Sequence, residues 1–100
     1  MSGLDRYHFN IQLDPIKNEF IQAALEEAQR ISPSKIPSIK SATICTQYFE
    51  NLKKSLLEKY PNNSSQVEIF MMCNEQYFFS ELSDKICAIL KGNLKINTDK

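Results

Sequence analysis

The sequence predicts an α+β fold in a single domain over residues 1–100: one strand, two helices, and a C-terminal third rich in antiparallel strands. Three observations carry this prediction. Apolar side chains alternate with polar ones over residues 7–13, which is the period of a half-buried strand. Apolar residues then recur at helical spacing in two later segments. Finally, a short apolar run at residues 67–73 begins with β-branched side chains and is bounded by turn residues.

Composition is that of an ordinary globular chain and argues against several classes of function. Apolar residues make up 42% of the chain, and twelve basic side chains balance twelve acidic ones. No net charge therefore favours nucleic acid or an anionic membrane as a partner. The only two glycines, Gly3 and Gly92, stand alone, so the chain has no phosphate-binding loop. Because no segment has the pattern of a signal peptide or a membrane span, we expect a cytoplasmic protein.

Residue types that carry catalysis or bind metals are scarce. His8 is the only histidine, so a nucleophile would lack the base and orienting group that activate it. The three cysteines, Cys45, Cys73 and Cys87, lie in apolar stretches, and no two have the C-x-x-C spacing of a zinc site. We expect these thiols to be free and buried in a reducing compartment. The sequence thus predicts a protein that is not an enzyme and uses neither cofactor nor metal.

The first sixty residues divide into a strand and two helices. After the strand at 7–13, Asp14-Pro15 supplies a helix N-cap followed by proline at the first helical position. Apolar residues four apart then predict a helix over 15–31, which two prolines terminate. A second apolar face predicts a helix over 38–60, and the polar segment 61–65 ends it.

The last third of the chain allows two interpretations. In the first, residues 75–91 form a third helix with Asn74 as its cap, Gly92 as its stop, and a core stripe of Phe79, Leu82, Ile86 and Ile89. In the second, residues 77–79 and 86–90 are strands, and a turn leads to a final strand at 94–97. Periodicity by itself slightly favours the helix.

Two segments of the first half carry a resemblance to a known family. A strand leads directly into Ile11-Gln12-Leu13-Asp14-Pro15, and the second helix contains Lys53-Lys54 and closes on Lys59-Tyr60. This order resembles the small dynein light chains of the eight-kilodalton class, and the similarity covers nearly the whole chain through weak, distributed matches.

The C-terminal landmarks of that family are matched in part. Asn74 and Gly92 are identities, and Phe78 and Ser80 are conservative replacements. The chain has no tryptophan and carries Gln76 in place of a turn glycine. Glu68 stands where the family has the histidine associated with a pH-sensitive dimer. The resemblance moves the prediction for the last third from a helix to strands.

The resemblance implies a cytoplasmic adaptor of the motor-protein and microtubule system that is associated with the cytoskeleton. It would be a homodimer that captures an extended partner peptide at a sheet edge. The implied peptide-binding residues are Gln76, Tyr77, Phe78, Phe79, Ser80 and Leu82. The implied dimer interface contains Glu68, Phe70 and Met72.

The most informative feature of the residues themselves is the aromatic and methionine cluster Phe70, Met71, Met72, Tyr77, Phe78 and Phe79. Neighbouring side chains in a strand point to opposite faces, so these large apolar residues cannot all face one core. Either the strand is buried on both sides, or its second face is a subunit interface or a partner groove. The alternative function is a small α+β inhibitor, secretion chaperone or complex subunit that binds through a helix face.

Overall fold

The computed structural model describes the backbone of residues 3–96 and the side chains of residues 9–96, and these residues form helices and connecting segments only. The first two helices are α1, Gly3–Ile31, and α2, Pro37–Lys59. A 3₁₀ turn at Pro61–Asn63 leads into three consecutive helical segments. These are α3 (Ser64–Gln76), a π-helical turn (Tyr77–Glu81) and α4 (Leu82–Leu90), which together we call the C-terminal helix. The predicted α+β fold is therefore wrong, because residues 3–96 contain no strand.

The three helices pack as an up-down-up bundle. Helix α2 runs antiparallel to α1, since the Tyr48 hydroxyl donates a 2.7 Å hydrogen bond to Glu27 and Tyr60 stacks edge-on against Phe9. The C-terminal helix runs parallel to α1. Lys17 contacts Asn74 near the middle of both helices, and the Ser32 hydroxyl bonds the Ile89 carbonyl at their C-terminal ends.

The strand predicted at 7–13 is the N-terminal part of α1. Phe9 and Leu13, which the alternating pattern contains, are also four residues apart and are both buried. Ile11, which a strand would place on the same face, is exposed instead. A few alternating residues fit the period of a strand as well as that of a helix. The longer buried stripe from Leu13 through Ala24 and Ala28 has the helical period, so the whole segment is helical. Tyr7 and His8 lie outside the residues whose side chains are described.

Pro15 lies inside α1 rather than at its start, so the helix boundary predicted at Asp14 is also wrong. Proline removes one backbone hydrogen bond and costs about 3 kcal/mol in a helix interior. Pro15 and Ile11, whose carbonyl loses its donor, both lie on the exposed face, where water can bond that carbonyl. Burial of Phe9 and Leu13 repays this cost only if the helix continues through the proline.

The predicted ends of the helices are closer to the structure. Helix α1 ends at Ile31 as expected, and α2 differs from its predicted range by one residue at each end. Gly92 is confirmed as a helix stop. It adopts a φ of 84°, and the amides of Gly92 and Asn93 bond the carbonyls of Ile89 and Ala88. This is the Schellman arrangement, in which glycine takes the left-handed conformation without a Cβ clash.

The strand predicted at 67–73 is the body of α3. Val67, Phe70 and Met71 are buried at helical spacing, while Ile69 and Met72 point outward. The strands predicted at 77–79 and 86–90 are likewise helical, and Leu94–Ile96 have no regular structure; Asn97 lies outside the described residues. The alternative helix over 75–91 is therefore the correct interpretation of the backbone, but it belongs to a longer helix that starts at Ser64, so Asn74 is not its cap. Of its predicted core stripe, Leu82, Ile86 and Ile89 are buried, whereas Phe79 is exposed.

The π-helical turn corrects a shift in the apolar pattern of the C-terminal helix. Continuing the α-helical repeat from Phe70 and Asn74 would bring Glu81 and Lys85 to the core. The buried residues are instead Leu82 and Ile86, one position later. The wider π turn accommodates the additional residue, so both halves of the helix face the same core.

A polar contact accompanies the apolar core where α2 meets α4. The hydroxyl of Ser41, which is fully buried, donates to the Ser83 carbonyl at 2.7 Å and lies 3.0 Å from the Ser83 hydroxyl. The buried Cys45 thiol lies beside these hydroxyls. Because the hydroxyls bond only in this register, the contact fixes the position of α4 along α2.

Candidate functional site

The structure separates the sequence-predicted site residues into two groups. Phe70, Phe78 and Leu82 belong to the core, and Tyr77 packs partly buried against it. Glu68, Met72, Gln76, Phe79 and Ser80 are exposed on the outside of the C-terminal helix. The sheet edge to which the peptide-binding role was tied is absent from residues 3–96.

Four of the exposed residues line one shallow groove, and Glu75 joins them. We call it the outer groove, lined by Met72, Glu75, Gln76, Phe79 and Ser80. Met72 is 72% exposed and Phe79 is 42% exposed. Such exposure is unusual for large apolar side chains in the middle of a helix whose opposite face is well buried. Ile69, 46% exposed and one turn before Met72, extends the apolar surface toward the start of α3.

An aromatic cluster supports the C-terminal end of the outer groove. Phe49 of α2 meets both Phe78 and Phe79 edge-on, each with ring centroids 5.2 Å apart. Tyr77 stacks against Phe78 on the other side. Phe78 is fully buried and anchors the cluster, so the Phe79 ring is held against α2 with part of its surface in solvent. The groove is thus built on a packed support rather than on a loop.

The outer residues of α3 follow a heptad pattern. With Ile69 at position a, Met72 falls at d and Gln76 at the next a, which is the spacing of a helix–helix seam. Glu68 and Glu75 then occupy the g positions that flank such a seam. Both glutamates are exposed, and neither has an ion-pair partner among the described side chains. The same helix therefore shows one face to the core and a second, acid-flanked seam to solvent.

The charged residues that the C-terminal helix itself contributes near this seam have one sign. Between Pro61 and Ser83 the charged residues are Glu68, Glu75 and Glu81, with no lysine or arginine. Burial and, secondly, the nearby Glu81 raise the pKa of Tyr77, so its hydroxyl stays neutral and able to donate. This stretch of the C-terminal helix therefore contributes only acidic charge, although the whole chain has no net charge, and a lysine in contact with it, Lys17 of α1, bonds Asn74.

The buried Cys45 thiol is not arranged as a nucleophile. Burial raises the pKa of the Cys45 thiol, and the hydroxyls of Ser83 and Ser41 offset this only in part. A raised pKa keeps the sulfur protonated, which is the opposite of what a nucleophilic cysteine needs. Within the described part of the chain, no cluster of histidine, cysteine, aspartate or glutamate could hold a metal ion.

The three thiols differ in accessibility, which gives a direct test of the bundle. Cys45 is buried, Cys73 is exposed on α3, and Cys87 is intermediate. We expect a thiol reagent to modify native Cys73 fastest and Cys45 only after denaturation. Mass spectrometry of labelled peptides, with Cys73→Ser as control, measures this order. Fast labelling of Cys45 in the native protein would contradict the packing of α2 against α4.

Sequence reasoning missed Ile69 and Glu75 as parts of the site and Phe49 as its support. It did single out the large apolar residues around Phe70-Met71-Met72, with the argument that neighbours in a strand cannot all face one core. The segment is a helix, so the geometry of that argument was wrong. In a helix, Phe70 and Met71 turn inward and Met72 turns outward.

Comparisons with protein-family models, curated proteins and solved structures find no match for this chain. Among the described residues, no helix has the length and apolar character needed to cross a membrane.

Proposed function

We propose that the chain is a non-enzymatic interaction module that holds a protein partner against the outer face of its C-terminal helix. The outer face consists of the outer groove together with Glu68 and Ile69. The observation that carries this proposal is the 72% exposure of Met72 beside Ile69 and Phe79, in a helix whose other face builds the core. Contiguous exposed apolar groups of this kind mark interaction surfaces. Methionine and phenylalanine are also typical of the centres of protein interfaces.

The polar side chains in the outer groove support binding rather than folding. Glu75, Gln76 and Ser80 line it and are exposed. They offer a carboxylate, an amide and a hydroxyl beside the apolar centre, which is the usual pattern of an apolar patch with a polar rim. The proposed mode is docking of a partner on a helix face, because the described chain has no sheet edge to which a partner strand could add.

The proposal is tested with a charge placed in the centre of the patch. Met72→Glu should leave the free energy of unfolding within about 0.5 kcal/mol, because the residue is exposed. The wild type is first used to isolate a partner from native lysate, and its binding to the purified partner is then measured. Met72→Glu should abolish this binding, because the change places a charge in an apolar contact. Thr46→Glu, on the exposed side of α2, is the matched control. Capture that survives Met72→Glu, or that Thr46→Glu abolishes equally, would show that the outer face is not the binding surface.

A further inference from the structure

The partner of the outer face can be specified by its chemistry, on the basis of the proposed function. We infer that the outer face of α3 receives an amphipathic helix whose apolar stripe is flanked by lysine or arginine.

The shape of the surface favours a helix as the occupant. Ile69, Met72 and Gln76 have the 3-4 spacing that interdigitates with a second helix at a shallow crossing angle. From Ile69 to Phe79 the seam is about 15 Å long at 1.5 Å per residue, or roughly three turns of a partner helix. Such a partner would add a fourth helix to the bundle and cover the apolar groups that the monomer leaves in water.

The flanking charges specify the sign of the partner. Glu68 and Glu75 occupy the positions from which charged side chains reach across a helical seam to the partner's own flanks. In an antiparallel pair of two copies of this chain, these glutamates would face each other, and like charges repel. In a parallel pair Glu68 would face Cys73 and Glu75 would face Ser80, and neither residue supplies a cation. A partner with basic flanks pairs with both glutamates in either direction.

A second copy of the chain offers only a small complementary surface. Ile36 and Ile39 are exposed at the start of α2 between Lys35 and Lys40, so this segment is both apolar and basic. It extends over little more than one helical turn, against the roughly three turns of the outer seam. A stable interface buries about 800 Å² on each side, which two isoleucines at a helix end do not supply. The size of the seam therefore favours a longer basic helix from another protein.

The test uses two synthetic peptides of about three heptads, both with leucine at a and d. One carries lysine at e and g and the other carries glutamate there, so that neither pairs with itself. Fluorescence anisotropy should show that the wild type binds the lysine peptide at least roughly tenfold more tightly. The double variant Glu68→Lys/Glu75→Lys should reverse this preference. Glu19→Lys/Glu58→Lys changes net charge equally at exposed sites away from the seam and should keep it.

The outcomes separate the partner's chemistry from the proposed function. Equal binding of both peptides, or a reversal that the control variant also shows, overturns the basic partner. If Met72→Glu abolishes binding in that case, the outer face remains a docking surface. If Met72→Glu leaves peptide binding unchanged, the outer face is not the docking surface. If light scattering shows that the wild type self-associates, and both Met72→Glu and Ile39→Glu abolish this self-association, the outer face binds a second copy of the chain. That result overturns the proposal of a basic partner helix.

Discussion

Replacing Phe78 with alanine is expected to lower the free energy of unfolding by about 3–5 kcal/mol, because the change empties a fully enclosed site. Phe78 has no exposed surface, and its ring contacts those of Phe49 and Tyr77. This loss is a large part of the 5–15 kcal/mol by which domains are typically stable. Urea unfolding followed by circular dichroism measures it as a shift in midpoint at unchanged slope.

Phe79→Ala is the matched control, since the two rings are neighbours in sequence and lie equally far from Phe49. Phe79 is already 42% exposed, so its truncation should cost about 1 kcal/mol, which is ordinary for a partly exposed site. Leu52→Ala, at a fully buried site of α2, gives the reference for a core truncation. If Phe78→Ala were no more harmful than Phe79→Ala, the assignment of Phe78 to the core would be wrong.

Deleting one residue should have opposite effects in the C-terminal helix and in α2. Removing Ser80, which is exposed in the π turn, takes out the extra residue and lets the helix run as regular α-helix. Leu82 and Ile86 then stay in register with Phe70 and Asn74. We expect the shortened protein to remain folded, with cooperative unfolding and unchanged helix content.

Removing Glu50, an exposed residue of the regular helix α2, should unfold the protein. Everything after the deletion rotates by about 100°, which places Lys53 at the buried site of Leu52, while Leu57 moves to the site of Leu56. Loss of Leu52 from the core costs about 2–5 kcal/mol, and a buried lysine adds to that. Circular dichroism and denaturant titration of both deletions give the comparison. Unfolding of the Ser80 deletion would show that the π turn does more than restore register.

Some features of the fold follow from local rules and were predicted correctly. The end of α1 at Ile31, the prolines after it, and the glycine stop at Gly92 depend on backbone chemistry within a few residues. The apolar face of α2 through Cys45, Leu52 and Leu56 is long enough to exclude any other period. These elements need no information from distant parts of the chain.

The short segments could not be assigned from the sequence, because their patterns fit two periods. Residues 7–13 alternate, yet Phe9 and Leu13 also fit a helix, and only contact with the other two helices decides between them. The π turn is visible in retrospect as a one-residue shift between Phe70 and Leu82, but a shift is informative only once the segment is known to be helical. The resemblance to the light chains changed the prediction for this region from a helix to strands, although the periodicity of its own residues favoured the helix.

The outer face, too, was determined partly by the sequence and partly by the tertiary structure. The sequence alone determined that large apolar residues are concentrated at Phe70-Met71-Met72 and at residues 77–79. Only the tertiary structure decided that Phe70 turns inward and Met72 outward, and that Phe49 holds Phe79 at the edge of the groove. The physical reason is that a helix distributes neighbouring residues around its axis, and which of them become buried depends on where the other two helices pack.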